Sequence, residues 1–293
     1  MREIHYTELG ATLFMPASHK NLKTVANKQK YKSLKSLVID LEDGLNQRDL
    51  DSSMEIIRAL LPIVESSNLY IFIRPRDITI LKKLLLFDAI QNITGFILPK
   101  FSLKNAKEYL EVLKESNHYI MPSIEGEELF NPNELRELRD LINPYKKKVL
   151  LVRFGLEDML RQLGLRRECG DSIFDLSACS VVLGNFIAIF KSSGYGVSGG
   201  VYPCFKDDEG FTKDIRRDLK EGLFSKTIIH PRQIDLANET YKVSKQELEE
   251  AKEIAEDTNV IFSQNNKMAE KNTMLPFSLE IIKRSEVYGI IQG

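Results

Sequence analysis

The sequence predicts an α/β chain, a (β/α)8 TIM barrel with a C-terminal helical extension. Short apolar runs recur eight times, helical patterns fill the intervals, and the runs are nearly continuous in apolar residues rather than alternating. Strands covered on both faces read that way, whereas half-exposed strands alternate. Strand–helix alternation repeated eight times is the outline of a closed parallel barrel. A doubly wound open sheet is the competing arrangement, and its dinucleotide-binding form is disfavoured because no Gly-x-Gly-x-x-Gly follows the first run.

In order, the candidate strands are Ala11–Met15, Ser36–Asp40, Tyr70–Arg74, Gly95–Pro99, Tyr119–Ile124, Val149–Phe154, Gly200–Phe205 and Thr227–His230. Six of the seven intervals between starts are roughly 24 to 35 residues, one βα unit each. The sixth interval is longer and holds Gly164–Gly170 followed by a helix-like Ile173–Phe190.

Helical signals sit between the runs. Ser102 reads as the cap of a helix with Leu103, Ala106, Leu110 and Leu113 on one face. Asn131-Pro132 opens another, with Leu135, Leu138 and Leu141 aligned and proline placed in a first turn. Ser244-Lys-Gln-Glu247 is a capping box before Leu248, Ala251, Ile254 and Ala255. The barrel is therefore assigned to residues 1–243. Residues 244–293 form the extension, as two helical segments, Ser244–Val260 and Pro276–Tyr288, joined by polar Ser263–Thr273 and free to reach a neighbouring subunit.

Composition narrows the function. With 293 residues and 43% hydrophobic residues the chain can bury a sizeable core. Lys and Arg number 41 against 42 Asp and Glu, a net charge of −1 that argues against nucleic acid as the main partner. The longest oily stretch, Val181–Phe190, is about half of what a bilayer needs, so no membrane is expected. Met1–Gly10 lacks the apolar core of a signal peptide. Three cysteines, Cys169, Cys179 and Cys204, show no metal-ligand spacing, and their odd number speaks against a disulfide framework. A reducing, cytoplasmic setting is the expectation.

The chemistry lies where strands end. A strand interior disfavours charge, so an ionised group where a strand leaves the sheet points to a site, and in this barrel class the C-terminal strand ends share one mouth. That mouth receives Glu42 and Asp43, Arg74 and Arg76, Lys100, Glu125, Asp158 and His230. Glu125 and Asp158 end consecutive strands; two bare carboxylates would repel, and a hard divalent cation resolves the conflict. Mg2+, or another divalent ion such as Mn2+, is the expected cofactor, a Lewis acid for an enolate formed when a carbon–carbon bond breaks or forms. Arg74 ends the oily Tyr-Ile-Phe-Ile-Arg and offers a rigid fork of donors for a carboxylate or enolate oxygen. It also suits a purely structural tie to Glu42 or Asp43. Within Asp40-Leu-Glu-Asp43, one acid can orient Arg74 and another order water on the metal. Lys100 and Arg76 are candidates to neutralise substrate charge. His230 reads better as a buried, hydrogen-bonded residue than as a base, His19 as a marginal ligand contact, and Arg166-Arg167 as a solvated pair. No nucleophile elbow, P-loop or His-Glu-x-x-His is present.

Several ordered pieces carry a resemblance: Leu13-Phe-Met-Pro-Ala17, Val38-Ile-Asp-Leu-Glu-Asp43, Ile73-Arg74, Ile97-Leu-Pro-Lys100, Ile124-Glu125, Gly155-Leu-Glu-Asp158 and Ile229-His-Pro-Arg-Gln-Ile234. With them the chain resembles the HpcH/HpaI aldolase and citrate lyase β-subunit-like family. Gly164-Leu-Arg-Arg167 and the ending Ile281–Gly289 are most similar to its branch of TIM-barrel carbon–carbon bond lyases tied to tellurium-resistance and stress operons. The resemblance implies a (β/α)8 barrel, a homo-oligomer (trimer or hexamer) and Mg2+ held by Glu125 and Asp158. It also implies substrate binding by Arg74 and enolates of pyruvate, oxaloacetate or acetyl-CoA type. The chain departs from the family at Arg74-Pro75-Arg76, where an Arg-x-Asn is usual, in Gly126-Glu-Glu-Leu-Phe130, and at Gly199-Gly-Val-Tyr202, where an acid is missing.

The leading expectation is a Mg2+-dependent carbon–carbon lyase or aldolase acting through a metal-stabilised enolate of a 2-oxo acid or acyl substrate, a CoA thioester among the options. Arg74 and Asp43 are its catalytic candidates, Arg74, Glu125, Lys100 and Arg76 its substrate contacts, and Glu125 and Asp158 its metal ligands. Two alternatives stand beside it. The altered third and seventh strands motivate a non-catalytic barrel that binds a small oxo acid or a partner protein; Arg76 and the Arg166-Arg167 pair motivate a lyase with a phosphorylated or sugar-like substrate.

Overall fold

The computed structural model describes residues 3–64, 68–256, 261–264 and 267–291. Seven parallel strands run β1 (Thr12–Pro16), β2 (Ser36–Asp40), β3 (Tyr70–Arg74), β4 (Gly95–Leu98), β5 (Tyr119–Ile124), β6 (Arg153–Phe154) and β7 (Thr227–Ile228). Their spatial order is β6-β5-β4-β3-β2-β1-β7. Val197 and Ser198 close the ring between β6 and β7 as single parallel bridges, Val197 to Val152 and Ser198 to Phe224. The barrel is thus an eight-unit ring with a thin seventh stave.

Strand alternation sorts the side chains into two cores. Inward from the staves point Phe14, Val38, Phe72, Ile97, Met121 and Leu151, a plug of apolar groups filling the lower barrel. Outward point Leu13, Ile39, Ile71, Ile73, Phe96, Leu98 and Ile120, which pack against the helices. Register carries the layering upward, because Pro16, Asp40 and Arg74 are mutual partners across β1, β2 and β3. Ser123 pairs with Arg153 across β5 and β6. Above the apolar plug, the inward layer of the barrel is therefore polar.

The helices are α1 (Leu22–Ala26), α2 (Leu50–Leu60), α3 (Ile78–Leu84), α4 (Ala106–Leu113), α5 (Pro132–Ile142), α6 (Leu156–Leu163), α7 (Ser177–Lys191), α8 (Asp208–Lys220), α9 (Gln233–Thr240), α10 (Lys245–Glu256) and α11 (Lys271–Tyr288). No helix among the described residues is long and apolar enough to cross a membrane. The Ser244–Glu247 box forms as expected, Glu247 N–H donating to Ser244 Oγ (3.1 Å) and Ser244 N–H to Glu247 Oε2 (2.9 Å). Residues 257–260, the end of the segment expected to be helical, lie outside the described residues. In the extension, Arg284 Nη2 donates to Tyr241 O (3.1 Å), Tyr288 OH to Thr7 O (2.6 Å) and Tyr6 OH to Glu280 Oε2 (2.8 Å). So α11 clamps the N-terminal segment of its own chain.

Several expectations need correction. The seventh stave lies at Val197–Ser198, ahead of Gly200–Phe205, because the chain leaves the barrel at Gly199; a side chain there would collide with Asp218 Oδ2 at 2.3 Å. Helix α4 starts after Asn105, while Ser102 contributes its carbonyl to Ala106 N–H (2.8 Å). Helix α11 begins five residues before Pro276, and polar Ser263–Thr273 overlaps a two-stranded antiparallel ribbon of Ile261–Gln264 and Lys267–Glu270. Cys169 and Cys204 form a disulfide and Cys179 is the cysteine left over, buried in α7. Their separation of 35 residues gives no pairing signal, because the loops that carry them meet only in the fold.

Candidate active site

A cavity of about 640 Å³ opens at the C-terminal ends of the strands. Its lining includes Asp40, Asp43, Arg74, Ser123, Glu125, Arg153, Asp158 and Thr227. Glu125, Asp158, Arg74 and Asp43, expected from sequence to share a site, therefore face one space.

Arg74 is fixed before any ligand arrives. Its Nε and Nη2 donate to Asp40 Oδ1 (2.6 Å) and Oδ2 (2.8 Å) in a two-pronged pair, and Nη1 donates to Asp43 Oδ2 (3.4 Å). Glu42 Oε2 stands 2.8 Å from Nη1 as a charge contact, poorly angled for a hydrogen bond. Asp40 in turn accepts from Glu42 N–H (3.0 Å) and Gly44 N–H (3.1 Å), which folds the β2 end around the guanidinium. Burial works to lower the Arg74 pKa, but Asp40, Glu42 and Asp43 outweigh it and raise it further. Lys100 joins from the β4 end, donating to Glu42 and, at 3.5 Å, to Asp43. Burial opposes ionisation of Asp43, yet Arg74 and Lys100 together hold its carboxyl below the ordinary value. For Glu42 the balance reverses, and burial raises its carboxyl despite the same two cations.

Glu125 lies opposite, 5% exposed, just beyond β5. Its Oε2 is enclosed without a hydrogen-bond partner. Burial pushes its carboxyl up to about 7; Glu42 and Asp158 add to this, while the Ser123 hydroxyl and Arg74 oppose it. Gly155 makes the space: a Cβ there would stand 2.5 Å from Glu125 Cγ and 2.9 Å from its Cβ. Asp158 occupies the first turn of α6, 22% exposed, with Oδ1 accepting from Arg161 Nη2 (2.6 Å). Gln162 ties the pair together, its Nε2 donating to the backbone oxygens of Glu125 (2.8 Å) and Asp158 (3.1 Å). Among the described residues no group of three or more His, Cys, Asp or Glu could hold a metal. A two-carboxylate set with open positions suits Mg2+, which commonly keeps several waters. The unpartnered buried oxygen of Glu125 fits a cation, since an unsatisfied buried acceptor is costly.

Other candidates stand elsewhere. Arg76 Nη2 donates to Leu45 O (2.5 Å) and does not line the cavity. His230 is half-buried, stacks on Phe205 with ring centroids 4.4 Å apart, and its Nδ1 accepts from Arg232 N–H (3.2 Å). His19 is exposed and outside the lining. Arg166 is exposed beside Glu168, but Arg167 is no solvated partner of it. Arg167 is buried against Asp214 (3.3 Å), and Lys226 bridges Asp214 (2.6 Å) and Asp218 (2.7 Å) in the same closed network.

Sequence reading missed Arg153, Thr227, Ser123, Gly155 and Gln162. The rule that singled out Arg74, a charge where a strand ends, passed over Arg153 because it lies inside the expected run Val149–Phe154; the signal that could have found it is the charge itself within an apolar run.

An eight-unit parallel barrel whose mouth holds opposed acids around a clamped arginine belongs to the TIM-barrel class. More narrowly, the chain belongs to the family described as C–C bond lyase of the TIM-barrel fold, whose model matches residues 3–290. Among curated proteins, the chain is 32% identical over 95 residues to a (3S)-malyl-CoA thioesterase of Cereibacter sphaeroides, covering 32% of each chain. It is 38% identical over 68 residues to an L-malyl-CoA/β-methylmalyl-CoA lyase of the same species, covering 23% of this chain and 21% of that one. These matches span a third or less of the relatives' length. A citrate lyase structure from Burkholderia xenovorans LB400 superposes with a TM-score of 0.75 at 17% identity, covering 100% of this chain and 98% of that one. The CitE protein of Mycobacterium tuberculosis, solved with magnesium, acetoacetate and coenzyme A, gives a TM-score of 0.69 at 17% identity, covering 96% and 99%.

Proposed function

We propose that this protein is a Mg2+-dependent carbon–carbon lyase acting on a 2-oxo acid or acyl substrate, a CoA thioester among them. One observation carries the reading: a buried carboxylate with an unpartnered oxygen, Glu125, faces the same cavity as Asp158 in the first turn of α6, the helix after the next strand. Glu125 and Asp158 would hold the ion, which when bound supplies Lewis-acid charge beside a developing enolate. Arg74, locked by Asp40, keeps little donor capacity for a ligand and chiefly holds the acidic wall in place. Asp43 and Lys100 set the charge at the rim. Magnesium in the CitE structure and the malyl-CoA relatives support the cation and the substrate class.

The phosphorylated-substrate alternative finds less support, because Arg76 and Arg167, two of its three arginines, are already engaged within the protein. Deuterium exchange separates catalysis from mere binding. In D2O with Mg2+, the protein should exchange the C3 protons of pyruvate or oxaloacetate, and excess chelator or Asp158→Asn should abolish it. Exchange that persists in excess chelator would refute the cation's part; Mg2+ binding with no exchange would favour the non-catalytic barrel.

A further inference from the structure

Three arginines line the cavity: Arg161 is exposed and paired with Asp158 (2.6 Å), while the other two, Arg74 and Arg153, stand in opposite circumstances. Arg74 is met by three carboxylates, whereas Arg153, only 3% exposed in β6, has no carboxylate within ion-pair distance among the described residues. Its contacts are neutral: Nη2 donates to Thr227 Oγ1 (2.5 Å), and Nη1 lies 3.9 Å from Met121 Sδ. Its guanidinium sits 5.3 Å from the centroid of the Phe14 ring, with Arg74 also at 5.3 Å from it. The aromatic ring contributes cation–π attraction to both.

An isolated buried cation is costly unless it is paired and hydrogen-bonded, and a guanidinium cannot shed its proton to escape that cost. Thr227 offers one oxygen for five N–H donors, and a thioether is a weak acceptor. The charge is nevertheless kept at the cavity floor. An anion entering the cavity would find two-pronged donors there that are not already taken by the protein.

We propose that Arg153 receives a second acid group of the ligand. The ligand would then be an oxo or hydroxy acid whose oxygen-bearing end stands at Glu125 and Asp158 and whose second carboxylate reaches the barrel floor. Thr227 and Phe14 hold the guanidinium plane for that contact. The assignment rests on the cation reading above, so the test must separate the two.

Malate and lactate share a 2-hydroxy acid end and differ by one distal carboxylate, which makes them suitable stable probes. Calorimetric titration of the Mn2+-loaded protein should show malate binding at least tenfold tighter than lactate. In Arg153→Gln that advantage should vanish, with lactate and Mn2+ affinities within about twofold of wild type. An unchanged malate-to-lactate ratio in Arg153→Gln overturns the proposal and leaves the cation reading intact. Loss of Mn2+ or lactate binding together with malate would mark Arg153 as structural and also overturns it. Where Arg153→Gln does not fold, Arg153→Lys keeps the charge but shortens its reach, and an unaltered ratio there is equally fatal. If the wild type takes up no Mn2+, the cation reading falls. The Arg153 assignment is then decided on metal-free protein: a malate-induced thermal shift that Arg153→Gln or Arg153→Lys removes upholds it, and no such shift overturns it.

Discussion

Gly155→Ala probes the site through a single added methyl group. The backbone at Gly155 (φ −83°, ψ 92°) accepts alanine without strain, so the effect is purely one of contact. The new Cβ would lie 2.5 Å from Glu125 Cγ, where ordinary contact begins at 3.4 Å, so one of them must move by about 0.9 Å. Glu125 leaves the end of β5 with its own Cβ only 2.9 Å from the intruder, so the carboxylate cannot simply rotate clear. Overpacking of this kind costs about 1–3 kcal/mol. A cation ligand displaced by most of an ångström loses more, because Mg2+ demands oxygens within narrow limits of about 2.0–2.1 Å. Perturbing the groups that orient metal ligands costs roughly 10- to 100-fold in affinity. Mn2+ titration followed by electron paramagnetic resonance should show that loss in Gly155→Ala, alongside a thermal melt confirming the fold. A folded Gly155→Ala protein with Mn2+ affinity within twofold of wild type would refute the reasoning.

Other consequences follow from buried charge and cross-linking. Burial raises the Glu125 pKa to about 7 from its ordinary value of 4.5, so the metal-free fold favours the protonated acid. Stability from this group is present below pH 4.5 and falls as pH rises toward 7, by about 3 kcal/mol at most. Urea unfolding of metal-free Glu125→Gln should therefore show a stability advantage over wild type that grows between about pH 5 and pH 8; no pH dependence in that difference would contradict it. Lys226→Met leaves buried Asp218 without its ion-pair partner and Asp214 with Arg167 alone, and breaking such a network costs about 3–5 kcal/mol in denaturant titration; a loss below about 1 kcal/mol would show the network to be wet. Reducing the Cys169–Cys204 bridge frees a loop spanning 35 residues and should cost about 2–4 kcal/mol, read as a lowered melting temperature in dithiothreitol.

Much of the barrel was legible because its signals are local. The β2, β3 and β5 runs begin and end where expected, since each is a β-branched or aromatic stretch halted by a charged or polar turn. The seventh stave was not, because Val197 and Ser198 make only single bridges and the more apolar Gly200–Phe205 is loop. Likewise the mouth could be read from acids at strand ends, but their pairing could not. That Asp40 rather than Asp43 makes the two-pronged contact to Arg74 depends on register, Asp40 and Arg74 being cross-strand partners. The disulfide and the Arg167–Asp214–Lys226 network join loops and helices distant in sequence, so nothing in the chain's spacing announces them.

Divalent-ion stoichiometry tests the central claim most directly. Equilibrium dialysis with Mn2+ should find one ion per wild-type chain, with none retained by Glu125→Gln or by Asp158→Asn while both variants keep the wild-type circular dichroism spectrum. Wild-type uptake in either folded variant would mean that these two carboxylates do not hold the ion, and the proposed chemistry would lose its site.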